Sequence, residues 1–265
     1  MRPEVRFPFS YDPEAYSKIR DGIYHEDPRP WDFLEVLRTN IAPGSLVLDA
    51  GCGPITTDKL PELAQIASGI VAFDNAYQSK ILATAQDNLF QAGLRDKIDL
   101  LYADINPKNG VLPFANESFD AATFMLSPHN SQEAFRVLKS GGVAILERVG
   151  EGDKRNIKQE FGSDSNCKPR GYLMEDQNGD LSEKYKEDFL AAGFKQVDAQ
   201  NGYWTTVYTF EGLLDIIKGA RTVRGFDIEK DEEILKRIKI KYGIKNHPDF
   251  ITTSQHRILL IARKS

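Results

Sequence analysis

Apolar positions along this chain fall into short continuous runs separated by helical stripes. Leu46 to Asp49 reads as a short buried strand ending on a carboxylate. Gly69-Ile-Val-Ala-Phe-Asp74, Ile98-Asp-Leu-Leu-Tyr-Ala-Asp104, Phe119 to Leu126 and Val143 to Val149 are four more runs of strand length. Between them, apolar residues recur at helical spacing. One stripe runs from Trp31 to Asn40, broken by Pro43-Gly44. A second uses Leu60, Leu63, Ile66 and Ala67; Pro61 belongs in a first turn, which puts the start near Asp58. A third spans Ser79 to Ala92 and stops at Gly93, and a fourth spans Gln132 to Lys139 and stops at Gly141-Gly142. Five strands alternating with helices predict an α/β fold with a doubly wound, right-handed, mostly parallel sheet.

The flanking segments differ. Residues 1–44 carry Phe7, Phe9, Tyr11, Tyr16, Tyr24 and Trp31, with a helix start at Asp12-Pro13, and are expected to form an N-terminal helical lid. Tyr16, Arg20 and Tyr24 either strap the main domain or close over a ligand. In the second case Arg20 would meet a carboxylate as a bidentate pair. Residues 150–180 are polar and glycine-rich. Leu181 to Ala192 predicts a helix, and Phe194 to Val207 a strand interrupted at Asn201-Gly202. Two helices separated by Arg224-Gly225 and a closing strand from His256 to Ala262 complete the chain.

Composition narrows the classes. The 265 residues are 41% hydrophobic and 28% charged, ordinary for a globular protein, and the formal net charge is -5. That balance disfavours broad binding to nucleic acid or an anionic membrane. The start of the chain lacks the apolar core of a signal peptide and no run is long enough to span a bilayer, so a cytoplasmic location is expected. Cys52 and Cys167 make neither a disulfide framework nor a zinc site. Lys236-Arg-Ile-Lys-Ile-Lys241 reads either as the solvated face of an amphipathic helix or as an RNA contact.

The chemistry gathers where strands end. Asp49, Asp74 and Asp104 close three successive strands, at the sheet edge that faces the ligand crevice in such folds. Gly51 and Gly53 follow Asp49 with one residue between, which lets a ligand approach the backbone. A dinucleotide site wants a third glycine where Thr56 stands, and Pro54 removes one N–H from an anion cradle. Asp49 beside the turn suits a cationic ligand better.

Taken in order, Val47-Leu-Asp-Ala-Gly-Cys-Gly53, Val71-Ala-Phe-Asp74, Ala103-Asp104, Pro113-Phe114 through Ser118-Phe-Asp120, and Arg136-Val-Leu-Lys-Ser-Gly-Gly142 resemble the motifs of class I S-adenosylmethionine-dependent methyltransferases over residues 45–149. The resemblance implies a Rossmann-like fold that ends in an antiparallel strand pair, so that 45–208 with 250–265 form the cofactor-binding domain and 209–249 is a helical insertion before the last strand, a substrate cap. It also implies S-adenosyl-L-methionine as cofactor. It implies that Gly51 and Gly53, with Ala50 and Cys52 in the same turn, pass under the methionine part, and that Asp49 lies near its amino group. Asp74 would bind the ribose hydroxyls, Asn75 would pack beside the adenine, Asp104 would take the adenine amino group, and Ile105 would donate its N–H. Leu126 and Ser127 would line the methionine side. Ile55 departs from the family's third glycine, which predicts a wider loop.

Methyl transfer is an in-line displacement that depends chiefly on positioning. His129, just past the fourth strand, is the candidate general base, or else a histidine of the pocket wall. Ser127-Pro-His-Asn130 is not the Asn/Asp-Pro-Pro-aromatic motif of enzymes that methylate nucleobase amines. Three readings stand: a methyltransferase for a small-molecule substrate, which the acidic balance favours; an RNA or protein methyltransferase; and a non-catalytic module that binds the cofactor. The sequence leaves the acceptor and the oligomeric state open.

Overall fold

The computed structural model describes residues 21–54, 59–74, 79–104, 111–171, 180–220 and 222–265. The chain divides into two units. One holds Arg29–Gly150, Gln177–Gly202 and Arg257–Ser265; the other includes Glu151–Asp176 and Tyr203–His256.

In the first unit the elements are α1 (Phe33–Asn40), β2 (Leu46–Ala50), α2 (Lys59–Ile66), β3 (Gly69–Asp74), α3 (Ser79–Gln91), β4 (Ile98–Tyr102), β5 (Phe119–Met125), α4 (Ser131–Val137), β6 (Leu138–Val149) and α6 (Leu181–Ala192). It also takes part of β7 (Gln196–Thr209) and part of β9 (His247–Arg263). The strand order is β7-β9-β6-β5-β2-β3-β4. β4, β3, β2, β5 and β6 are parallel, and β9 runs antiparallel to β6 with Val149 opposite Arg257. Order reverses between β2 and β5, so this pair of carboxyl ends is the topological switch point, where such sheets hold ligands. The core on one side of the sheet is made by Val47, Ile70, Ala72, Ile145 and Leu259 packed against Leu37, Leu60, Leu63, Leu82 and Leu89. Both faces of a parallel sheet are covered, which explains why its strands read as unbroken apolar runs.

Local chemistry sets the helix ends. Asp32 accepts the Leu34 N–H at 2.8 Å, Asp180 accepts the Ser182 N–H at 2.8 Å, and Asn130 accepts those of Gln132 and Glu133 at 3.1 Å. Gly193 closes α6 in the left-handed region, with φ 114°.

The second unit holds β1 (Ile23–Glu26), α5 (Arg155–Lys158, continued by a 3-10 turn over Gln159–Phe161), α7 (Phe210–Gly219), α8 (Glu232–Tyr242) and β8 (Gly243–Ile244). β1 pairs antiparallel with β7 and β8 with β9. Its own core joins Ile157, Phe161, Leu213, Ile216, Ile217, Leu235, Ile238 and Ile251.

Four features differ from the sequence expectation. Residues 23–26 are a strand, within a segment read as helical. β6 begins at Leu138 and runs through Gly141-Gly142 instead of waiting for Val143. β7 is continuous through Asn201-Gly202; a Cβ on Gly202 would stand 2.4 Å from Trp31 Cζ3, so this glycine makes room for an indole. β9 is 17 residues long and starts at His247, nine positions before His256. The expected helix after Asp12 and the wider loop at Ile55 lie outside the described residues.

Candidate cofactor site at the switch point

The turn after β2 is held by the strand beside it. Gly51 and Gly53 have φ values of 73° and 62°, the region that favours glycine. The Gly51 and Cys52 N–H groups both donate to Phe73 O, at 2.8 and 3.1 Å. Gly53 N–H donates to Asp74 Oδ2 at 2.8 Å. Three successive amides are thus tied to the end of β3. Among the described residues, nothing stands within 4 Å of where a Gly53 side chain would begin. The Cys52 thiol is buried, and burial followed by the charges of Asp49 and Asp74 pushes its pKa far up.

Asp49, at the end of β2, is fully buried. Its Oδ1 accepts Thr123 Oγ1 at 2.5 Å and pairs with Lys59 Nζ at 2.8 Å. Thr123 reaches it because Asp49 and Thr123 are register partners in β2 and β5. Asp49 Oδ2 is buried and has no hydrogen-bond partner among the described residues.

The end of β5 closes the other side. Leu126 has φ 53°, uncommon for a residue with a branched side chain, and its N–H donates to Glu147 O at 2.8 Å. Ser127 Oγ donates to Ala50 O at 2.8 Å, joining the ends of β5 and β2. The Arg148 guanidinium donates to Ser127 O, and its Nε is buried without a partner. Glu147, also buried, accepts Trp31 Nε1 at 2.8 Å.

His129 stands in an aromatic cluster. Its ring stacks on Phe189 with centroids 5.6 Å apart and meets Tyr185 edge-on at 5.1 Å. Burial, with a smaller contribution from the Arg148 charge, lowers its pKa to about 3. A cleft of about 360 Å³ is lined by His129, Asn130, Gln132 and Asp188.

Asp49, Ala50, Gly51, Cys52, Gly53, Asp74, Leu126 and Ser127 therefore come together through direct bonds or register. Asp104 is exposed two residues beyond β4. Arg20, Asn75 and Ile105 lie outside the described residues. Sequence reasoning missed Lys59, Thr123, Trp31, Glu147 and Arg148. Thr123 was signalled by a hydroxyl inside an apolar strand, and Lys59 by a cation next to Leu60 on a helix otherwise read for its apolar face.

These residues fit a ligand that brings a cation to a buried carboxylate and lies against a glycine turn: among the described residues, an orphaned acceptor on Asp49 and open space at Gly53, with a carboxylate at the next strand end. Among the described residues no group of three His, Cys, Asp or Glu side chains could hold a metal ion, and no helix is long and apolar enough to cross a membrane.

Residues 48–146 match the family model of a methyltransferase domain. Comparison with curated proteins finds no significant match. Among solved structures, a methyltransferase candidate of Bacillus halodurans C-125 superposes with a TM-score of 0.59 at 19% identity, covering 88% of this chain and 98% of that one. The [4+2]-cyclase SpnF superposes at 0.58 and 19% identity, covering 95% and 92%. Phosphoethanolamine N-methyltransferase 2 of Haemonchus contortus, in complex with phosphomonomethylethanolamine and S-adenosylhomocysteine, superposes at 0.54 and 15% identity, covering 95% and 57%. At these identities the neighbours speak for the fold. With the motif order and the strand order, residues 48–146 carry a methyltransferase domain on a Rossmann-like sheet, consistent with the class I S-adenosylmethionine-dependent methyltransferases and with S-adenosylmethionine as cofactor.

Proposed function

We propose that the enzyme methylates a small-molecule acceptor, and that Asp49, Gly51, Gly53, Asp74 and Asp104 hold the cofactor. When bound, the cofactor supplies a methyl group on a sulfonium sulfur, activated for in-line displacement. The turn 51–53 orients its methionine part, and the Asp74 carboxylate, already fixed by the Gly53 N–H, takes ribose hydroxyls. Leu126 and Ser127 form a wall fixed by Ala50 and Glu147. The chain's part in the chemistry is then positioning, which can contribute about 7–11 kcal/mol.

His129 was the expected base. A ring whose pKa is about 3 accepts a proton poorly at neutral pH, so we assign it to the pocket wall and favour an acceptor that needs no base from this residue.

The observation that carries the small-molecule reading is the state of the basic run on α8. Lys236 pairs with Glu232 and Glu233 at 3.0 and 2.8 Å, Lys239 with Asp249 at 2.7 Å, and Lys241 with Glu160 at 2.6 Å. Lysines answered by the chain's own carboxylates offer little to phosphates. With a net charge of -5, this favours small acceptors over RNA. The Haemonchus contortus neighbour, whose ligand is a small phosphorylated amine, gives a precedent on the same fold. The residues that choose the acceptor are expected outside the matched stretch 48–146.

The test is a screen with methyl-labelled cofactor over a metabolite extract, an RNA pool and a protein pool. Label in the low-mass fraction is expected. Label confined to RNA or protein would overturn the acceptor class, and cofactor binding with no transfer to any pool would favour a non-catalytic module.

A further inference from the structure

The two donors that reach Asp49 crowd onto a single oxygen. Thr123 Oγ1 and Lys59 Nζ both meet Oδ1, at 2.5 and 2.8 Å, and Oδ2 has no partner among the described residues. Lys59 is 3% exposed and Asp49 0%. A carboxylate this deep needs a counter-charge, because an unpaired ion in an apolar interior is costly. Lys59, the first residue of α2, supplies it from within the chain. The surrounding helix face, Leu60, Leu63 and Ala64, is buried and apolar, and among the described residues Asp49 is the carboxylate the ammonium pairs with.

On the cofactor reading above, the amino group of the methionine part arrives at an Asp49 whose charge is already answered. It also arrives as a like charge to Lys59. We propose that Lys59 is an affinity-determining residue: an internal counterion that keeps Asp49 buried in the free enzyme and weakens every ligand that brings an ammonium to Oδ2. Its effect falls on amino-acid-bearing nucleosides, donor and demethylated product alike. Nucleosides without the amino acid are untouched. Lys59 thus limits product retention as much as it limits donor affinity.

The test uses the full chain with Lys59→Met and Lys59→Gln, and calorimetry with S-adenosylmethionine, S-adenosylhomocysteine and 5′-methylthioadenosine, which has the nucleoside but no ammonium. The first two are expected to bind about tenfold tighter to the variants, as for removal of a like charge at a desolvated site. The third should stay within about twofold, as for a ligand with no contact to the altered site. An equal gain on all three, or no gain on the first two, overturns the proposal. A variant that is unfolded alone and folds with S-adenosylhomocysteine but not with saturating 5′-methylthioadenosine supports it, because the ligand's ammonium then replaces the lost counterion beyond the mass action of binding. A variant that stays unfolded at saturating S-adenosylhomocysteine overturns it. Wild-type protein that binds none of the three removes the cofactor reading as well, whereas wild-type binding with unaltered variants removes only the role of Lys59.

Discussion

Gly53 donates its backbone N–H to Oδ2 of Asp74, 2.8 Å away and 21 residues further along the chain. The carboxylate therefore shapes the turn, and this role separates by substitution from the ribose contact proposed for it. Asp74→Asn keeps an acceptor for Gly53 and loses the charge. Its melting temperature should stay near wild type while cofactor affinity falls about tenfold, the worth of one charged hydrogen bond. Asp74→Ala should lose affinity and a further ~1 kcal/mol of stability. Calorimetry and thermal melts on the pair check this; an Asn variant that binds like wild type would sink the ribose role.

The His129 ring makes stability depend on pH. Its folded pKa of about 3 lies below the ordinary 6.5, so the unfolded chain takes up the proton first. The stability is fully present above about 6.5 and is lost as pH falls toward 3, at about 1.4 kcal/mol per pH unit. Urea unfolding at pH 7.5 and at pH 5 should show the difference, and His129→Phe, which suits the Tyr185 and Phe189 cluster, should flatten it. Equal slopes in the two proteins would refute the assignment.

Arg136 clasps the segment before β5. It donates to both oxygens of Glu133 at 2.8 and 2.7 Å, and to Leu112 O, Phe114 O and Asn116 Oδ1 at 3.1, 2.7 and 2.9 Å. The guanidinium bonding to Glu133 holds that carboxyl below the usual carboxylate range. Arg136→Met should cost about 3 kcal/mol, since it takes the counter-charge from a mostly buried carboxylate, left with only the Leu112 N–H among its described partners, and the donor from two carbonyls. Arg136→Lys should recover little, because an ammonium cannot span those acceptors. Chemical denaturation of both variants decides it, and full recovery by Lys would contradict the clasp.

The two cysteines should react differently. Cys52 is buried with its thiol pushed toward the protonated form, and Cys167 is exposed. Under native conditions a thiol-specific alkylating reagent should add one equivalent, at Cys167, with Cys52 labelled only after denaturant. Peptide mass mapping reads this directly. Native labelling of both at similar rates would contradict the burial of the turn.

The five central strands were legible because both faces of a parallel sheet are covered, so the apolar run and the strand coincide. β3 matches its reading residue for residue, from Gly69 to Asp74. Glycines were the weaker guide. Gly202 reads as a break, but its place follows from Trp31, a residue far away in sequence. β1 was not legible at all: Ile23–Glu26 is four residues long and partly exposed, and its partner β7 lies some 180 positions later. The same limit held at the site. Asp74 ends its strand, Asp49 stands one residue before the end of β2, and Asp104 lies two residues past β4, where the sequence reading puts it at the strand's end. The pairing of Lys59 with Asp49, by contrast, is given by no spacing rule.

The tethering of Gly51, Cys52 and Gly53 to the end of β3 has a consequence for how binding is measured. A loop that orders around its ligand loses conformational entropy at the moment of capture, and its affinity records that loss. Here the order belongs to folding, so capture by this turn should carry little entropic penalty, and small displacements of β3 near Phe73 should register as weaker binding without touching any group that meets the ligand.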